Sequence, residues 1–239
     1  MRAPTAAELL GVWERSADSG PVERANALLE LAAPDEPVRD LALGERDARL
    51  LELRELLFGE ALDGAADCAR CGETLAFSLS TEAVRAGNGA FEKELTVSAS
   101  GYDLRFRLPT VADLAAASSS GDLADTRARL LERCVLTASH AGHEAAPASL
   151  PPPVVEALAE LMAEADPLGD LRVALTCPAC GNAWAAVFDI AAWLWSEIEA
   201  WARRLVVEVH TLASAYGWSE GEILALGARR ELYLDLVAG

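Results

Sequence analysis

Positive charge is scarce in this chain. Twenty Lys+Arg stand against 38 Asp+Glu, a formal net charge of −18 over 239 residues, and Lys93 is the single lysine. Such a balance repels phosphate backbones and argues against general nucleic-acid binding. Long apolar runs are missing too. The most apolar stretch, Ile190 to Leu212, is broken by Glu197, Glu199, Arg203, Arg204 and Glu208, short of the roughly 18 uninterrupted apolar residues that a membrane span requires. The opening MRAPTAAELLGVWERSADSG has no apolar core of signal-peptide length. These absences predict a cytoplasmic chain with no membrane partner.

Catalytic signatures are equally lacking. There is no GxxxxGK[ST], no GxGxxG after a strand, no GxSxG, and no His-x-Glu paired with Pro-Cys-x-x-Cys. The expectation is a protein that is not an enzyme and takes no small-molecule substrate. With 52% hydrophobic and 24% charged residues, the chain nevertheless has the composition of a folded globular protein.

Thr5 to Glu8 has the form of a capping box, predicting a first helix from about residue 6. Pro21 suits the first turn of a second. A third is expected over 45–58, with Gly59 as its stop. The alternation Leu75, Phe77, Leu79 predicts a strand, and Leu95-Val97 with Tyr102-Leu104-Phe106-Leu108 predicts a hairpin turning at Ser100-Gly101. Helices follow over 111–118 with Thr110 as cap, 124–138 and 153–165, with a Pro/Ala/His loop at 139–152. Leu171-Val173-Leu175 and Trp184-Ala186-Phe188 predict a further hairpin. From Ile190 the period becomes helical over about 25 residues, with Trp193, Leu194, Ile198, Trp201 and Leu205 on one stripe and Gly217 as the stop. Ser219 to Glu222 is a second capping box, and a last helix is expected at 228–237.

The five cysteines carry the most specific signal. Cys68-Ala-Arg-Cys71-Gly72 and Cys177-Pro-Ala-Cys180-Gly181 share one form: two thiols on a tight turn, followed by a glycine where positive φ is needed. One such knuckle is weak evidence, whereas two of matching form predict a tetrathiolate zinc site with no open coordination position, hence structural zinc. The 105 residues between Cys71 and Cys177 make it a clamp across a very long loop. The rival is thiol–disulfide chemistry, since Cys-Pro-Ala-Cys alone has the form of thioredoxin-like motifs. Those place the first Cys at a helix start, and here Gly181-Asn182 leads into an expected strand.

Cys134 lies among apolar helical positions and reads as a small buried hydrophobe. His140 and His143 lack HExxH spacing and read as solvated loop, and His210 as a packed or capping residue. Of the six tryptophans, Trp193 and Trp201 fall on the long-helix stripe and read as core. Trp195 falls off it and is the candidate for a partner surface, with Arg203 and Trp218 as its further members.

From Leu104 the text LRFRLPTVADLAAA, and from Ala165 the text ADPLGDLRVALTCPACGNAWAAVFDIAAWLWSEIEAWARRLVVEVHTLASAYGWSEGEILALGARRELYLDLV, resembles the baseplate hub assembly chaperone family of contractile-tailed phages and phage-tail-like contractile injection systems. The upstream ERDARLLELRELLFG and the Cys68/Cys71 knuckle look like its longer bacterial members. The resemblance implies a non-enzymatic protein that helps assemble the central hub of a baseplate, with hub or spike proteins as partners. The zinc expectation rests on the cysteines of this chain and not on the family.

Together these readings predict an α+β, mostly helical fold with small antiparallel hairpins, a split zinc-ribbon-like four-cysteine site and a long C-terminal helix. Its expected segments are 1–60 (helical), 61–110 (first knuckle and hairpin), 111–168 (helical insert) and 169–239 (second knuckle and C-terminal helices), forming one integrated domain. Two rival functions remain open at this point: a zinc-ribbon adaptor for nucleic acid or a transcription partner, and a thiol oxidoreductase.

Overall fold

The computed structural model describes residues 1–85, 94–117 and 122–238. The architecture is α+β and mostly helical, with three small antiparallel sheets and a long helix toward the C-terminus. Two compact units divide the chain: one combines Met1–Glu36 with the residues from Ile190 onward, and the other is Pro37–Asp189. Among the described residues no helix is long and apolar enough to cross a membrane.

The first unit is helical. Helix α1 (Ala6–Arg15) starts at the Thr5–Glu8 capping box, and α2 (Pro21–Ala32) starts on its proline. Both pack on α8 (Ile190–Tyr216), whose 27 residues span about 40 Å. Ala191, Leu194, Trp195, Ile198, Ala202, Leu205 and Leu212 are the buried line of α8, falling at i, i+3, i+4 and i+7 spacings as an amphipathic helix requires. Leu10 of α1 meets Ala202 and Leu205 there. Gly217 ends α8 at φ 71°, and the Ser219–Glu222 capping box opens α9 (Glu220–Leu224), followed by α10 (Arg229–Ala238).

The second unit is built from hairpins and helices. Helix α3 (Leu43–Phe58) buries Leu50, Leu51 and Leu53 completely and stops at Gly59, φ 88°. Strands β1 (Ala61–Asp67) and β2 (Thr74–Ser80) pair over their whole length and lead into the short α4 (Thr81–Arg85). A four-stranded sheet runs in the order β3 (Leu95–Ala99), β4 (Tyr102–Phe106), β5 (Val135–His140), β6 (His143–Glu144). Helices α5 (Val111–Ala117) and α6 (Leu123–Cys134) lie between β4 and β5 in sequence, and α7 (Pro152–Ala165) covers the sheet. Phe106, Val135, Ala138, Val154 and Leu158 form the core between them. Strands β7 (Arg172–Thr176) and β8 (Ala183–Val187) make the last hairpin.

Three expectations change. The helix expected to 138 ends at Cys134, because Val135–His140 pairs with β4 instead; tertiary pairing of a Val-Leu-Thr segment wins over its helical periodicity. The 139–152 loop then contains a tight β5–β6 turn at Ala141-Gly142, both at positive φ, as at Ser100-Gly101. Strand β1 stands where the sequence predicts none, because ALDGAAD offers neither alternation nor β-branched residues. Ser118, expected to end α5, lies outside the described residues.

Candidate metal centre

Each cysteine pair sits in a six-residue turn at the tip of a hairpin, 68–73 between β1 and β2 and 177–182 between β7 and β8. The two turns are hydrogen-bonded alike. The first cysteine's amide donates to the carbonyl of the sixth residue, Cys68 to Glu73 at 2.9 Å and Cys177 to Asn182 at 2.8 Å. The glycine amide donates back to the first cysteine's carbonyl, Gly72 to Cys68 at 2.8 Å and Gly181 to Cys177 at 2.9 Å. Gly72 and Gly181 stand at φ 75° and 68°, and a Cβ on either would meet nothing within 4 Å. Glycine is therefore set by backbone conformation and not by space.

The turns bring four thiols together from sequence-distant hairpins. Cys68 Sγ lies 3.7 Å from Cys180 Sγ and Cys71 Sγ lies 3.6 Å from Cys177 Sγ, and all four sulfurs fall within 4.8 Å of one another. A tetrahedron of sulfurs about 2.3 Å from a central zinc has edges of about 3.8 Å, so the spacing fits a metal bound by four sulfurs. Cys68 and Cys177 are buried, Cys180 half-buried and Cys71 exposed. The Asn182 side-chain amide lies 3.8 Å from Cys68 Sγ and donates toward it. The four expected ligands are thus the four that converge.

The electrostatics favour a cation at this point. At Cys68 burial opposes the charged form, but the amides of Arg70 and Cys71 and the neighbouring thiols outweigh it and bring the thiol down to about 6. At Cys71 the Glu73 amide works toward the thiolate, yet the Cys180 and Cys177 sulfurs and burial push it up to about 12. One thiolate forms readily and resists the next, because like charges crowd. A divalent cation removes that repulsion and allows all four to ionise. Cys177 follows a strand and does not begin a helix, which is not the setting in which a Cys-x-x-Cys pair is activated for disulfide exchange.

Other candidates do not join the centre. Cys134 is buried, with its thiol pushed up to about 11 by burial and then by the nearby Asp113 charge. His140 stacks on Tyr102, ring centroids 4.4 Å apart, and His143 pairs with it across the turn. His210, expected to be a packed or capping residue, is exposed on α8. Trp195, expected on a partner surface, is only 7% exposed, with the Arg24 guanidinium 4.8 Å above its ring. It lies one turn from both Ala191 and Ile198, so the buried line of α8 runs through Trp195 and leaves Trp193 and Trp201 half-buried. Three tryptophans so close in sequence leave the phase of a stripe open to periodicity alone. Arg203 is exposed and pairs with Glu199 at 2.6 Å. Trp218 is half-buried, stacked on Tyr216 and edge-on to Tyr233.

A second polar centre was not anticipated. Asp113 is 1% exposed and takes both Arg107 and Arg133 as ion-pair partners, with the Thr110 amide and hydroxyl each donating at 2.9 Å. The Asp113 amide in turn reaches Thr110 Oγ1 at 3.3 Å, completing a reciprocal cap on α5. Burial alone would raise the carboxyl, but these donors hold it far below the usual carboxylate range. The Thr-x-x-Asp spacing after Pro109 carries the cap on α5 but not the two arginines.

A search of curated proteins and a search of solved structures give no match. A family model does match: that of the T4 bacteriophage base plate protein, over residues 8–194, which takes in both knuckles and the Asp113 centre. The chain with this four-thiol clamp belongs to the T4 bacteriophage base plate protein family.

Proposed function

We propose that this base plate component is a non-enzymatic assembly factor for the baseplate hub, held in shape by one structural zinc at Cys68, Cys71, Cys177 and Cys180. Membership of the base plate family over residues 8–194 carries the baseplate role. The sulfur separations of 3.6 and 3.7 Å support zinc as the metal. Four thiolates fill a tetrahedral zinc completely, leaving no position for substrate or water, so the metal's contribution is structural. Zinc would tie the β1–β2 turn to the β7–β8 turn, and nothing in that role requires chemistry.

The partners are hub or spike proteins of a contractile tail or injection system, in keeping with the resemblance of the C-terminal sequence to hub assembly chaperones. The binding surface is the outward side of the C-terminal helices. Arg203 stands exposed there, Val206 and Val207 follow one turn on, and Trp218 presents a half-buried ring beyond. Trp195 supports this surface from inside. Aromatic and arginine side chains are the residue types that most often anchor such interfaces.

The test is genetic and biochemical. Deleting the gene should leave tails or injection particles unassembled, and tagged protein should retain hub or spike proteins in a pull-down that Arg203→Glu weakens. Normal particles from the deletion strain would contradict the reading.

A further inference from the structure

The four sulfurs of the metal centre differ in what can reach them. Cys68 and Cys177 are each 1% exposed and Cys180 is half-buried, whereas Cys71 is exposed within a run of exposed residues from 69 to 74. Cys68 is shielded a second time, because the Asn182 side-chain amide donates toward its Sγ at 3.8 Å, and a hydrogen bond that stabilises a thiolate lowers its nucleophilicity. A thiol that coordinates a metal is held as the thiolate, the form that reacts with oxidants. Of the four, Cys71 is the one open to a dissolved oxidant.

The sulfur that meets Cys71 comes from the other hairpin. Cys71 Sγ lies 3.6 Å from Cys177 Sγ, and Cys68 Sγ lies 3.7 Å from Cys180 Sγ. Both contacts run from the β1–β2 turn to the β7–β8 turn. Disulfide sulfurs stand about 2.05 Å apart, so each sulfur of a pair need move less than about 1 Å to be joined. An accessible thiolate with a second sulfur poised to resolve it is the arrangement of an oxidant-sensitive cysteine.

We propose that Cys71 is a modification site for peroxide, and that oxidation turns the metal clamp into a covalent one. The Cys71 thiolate attacks one peroxide oxygen, the O–O bond breaks, hydroxide leaves and Cys71 becomes a sulfenic acid. The Cys177 thiolate then attacks the Cys71 sulfur, the S–O bond breaks and a second hydroxide leaves. Two protons from solvent convert the hydroxides to water, so the two cysteines are oxidised and the peroxide is reduced. With two thiolates spent, Cys68 and Cys180 no longer complete a four-sulfur site and the metal is lost. A second peroxide joins that pair by the same steps. Both bonds cross between the hairpins, so hairpins with little apolar cover stay tied after the metal has gone. Bonds within each knuckle would leave the two turns unconnected. The sulfurs are drawn from different Cys-x-x-Cys pairs and react once, which sets this apart from thioredoxin-like catalysis. The inference rests on the clamp reading for the metal that is lost, and is independent of hub binding.

Disulfide mapping of the full-length protein before and after hydrogen peroxide tests the proposal, with a metallochromic dye to follow zinc. Trypsin cuts after Arg70 and separates Cys68 from Cys71, while Cys177 and Cys180 stay together in peptide 173–203. Unreduced, the oxidised protein should give peptides 55–70 and 71–85 each linked to 173–203, with fragment spectra placing Cys71 on Cys177 and Cys68 on Cys180. About one zinc should be released for every two peroxides consumed. On untreated protein, limiting iodoacetamide should label Cys71 at least about fivefold faster than Cys68 or Cys177. Peptide 55–70 linked to 71–85, Cys71 found on Cys180, equal labelling of the three cysteines, or zinc still bound after the peroxide is consumed would each overturn the proposal. Purified protein without metal would overturn the clamp reading, and the linked peptides then decide the Cys71–Cys177 pairing by themselves.

Discussion

The helical unit and the two cysteine-bearing hairpins of the other unit are each stabilised by different physics. In the helical unit the single long helix α8 buries eight residues, Trp195 among them, and apolar burial at about 25 cal/mol per Å² suffices to hold α1 and α2 on it. The hairpins of the other unit cannot work that way. In β1 only Leu62 is buried, β2 has no buried residue, and β7 has only Leu175. Two-stranded hairpins with so little apolar cover are marginal by themselves. The four thiols meet where those two hairpins turn, so a metal bound there would supply the support that apolar burial supplies elsewhere, around Phe106, Val135 and Leu158 among other places. A helix long enough to bury a stripe needs no clamp, and a thin hairpin does.

This contrast can be broken most severely at the clamp. Cys177→Ser should abolish metal binding and destabilise both hairpins by several kcal/mol, given the order of 10 kcal/mol that structural zinc contributes in small peptides. Hydrogen exchange should accelerate in residues 61–80 and 172–187 while the amides of α8 keep their protection. Equal loss of protection in α8 would show that the clamp supports the whole chain.

Next in size is Asp113→Asn, which leaves Arg107 and Arg133 without their shared carboxylate. The expected loss is on the order of 3 kcal/mol by chemical denaturation. The same group gives a pH dependence. Its carboxyl is depressed in the folded state, so its contribution is complete above the unfolded value of about 3.9 and is lost as pH falls through the much lower folded value. Asp47 has the opposite sign. Burial raises it to about 6, with the adjacent Arg46 only partly offsetting, so it favours the folded state below about pH 4 and loses that contribution as pH rises through 6. Comparing stability from pH 3 to 7 in wild type and Asp113→Asn isolates the first term, and the difference should shrink at the acid end.

Smaller still is Gly44→Ala. A Cβ there would lie 1.7 Å from Asp166 Oδ1, whose partner oxygen accepts the Gly44 amide at 2.8 Å. Accommodating the methyl group means displacing a buried carboxylate, at a cost of about 2 kcal/mol measurable by thermal melting. The mildest change is Ser219→Ala at the N-cap of α9, about 1 kcal/mol, confined to the helical unit.

The sequence made some of this plain and hid the rest for physical reasons. Both knuckles, the two capping boxes and the length of α8 follow from short-range rules, and they stand where those rules put them. The register of β1 was hidden because its Ala, Asp and Gly residues pair through backbone alone. The switch from α6 to β5 after Cys134 depends on β4, some 30 residues away in sequence, which no local pattern carries. Trp195 lies on the buried side of α8 and not on the expected surface, because Trp193, Leu194 and Trp195 offer several nearly equal phases. The Asp113 centre has no local signature, because its two arginines, at 107 and 133, converge only after α5 and α6 fold back.

The four-thiol clamp is tested most directly by X-ray absorption at the zinc edge on purified protein, together with elemental analysis. The account predicts about one zinc per chain, surrounded by four sulfurs at about 2.3 Å. A protein free of metal with Cys68 and Cys71 joined in a disulfide would contradict it.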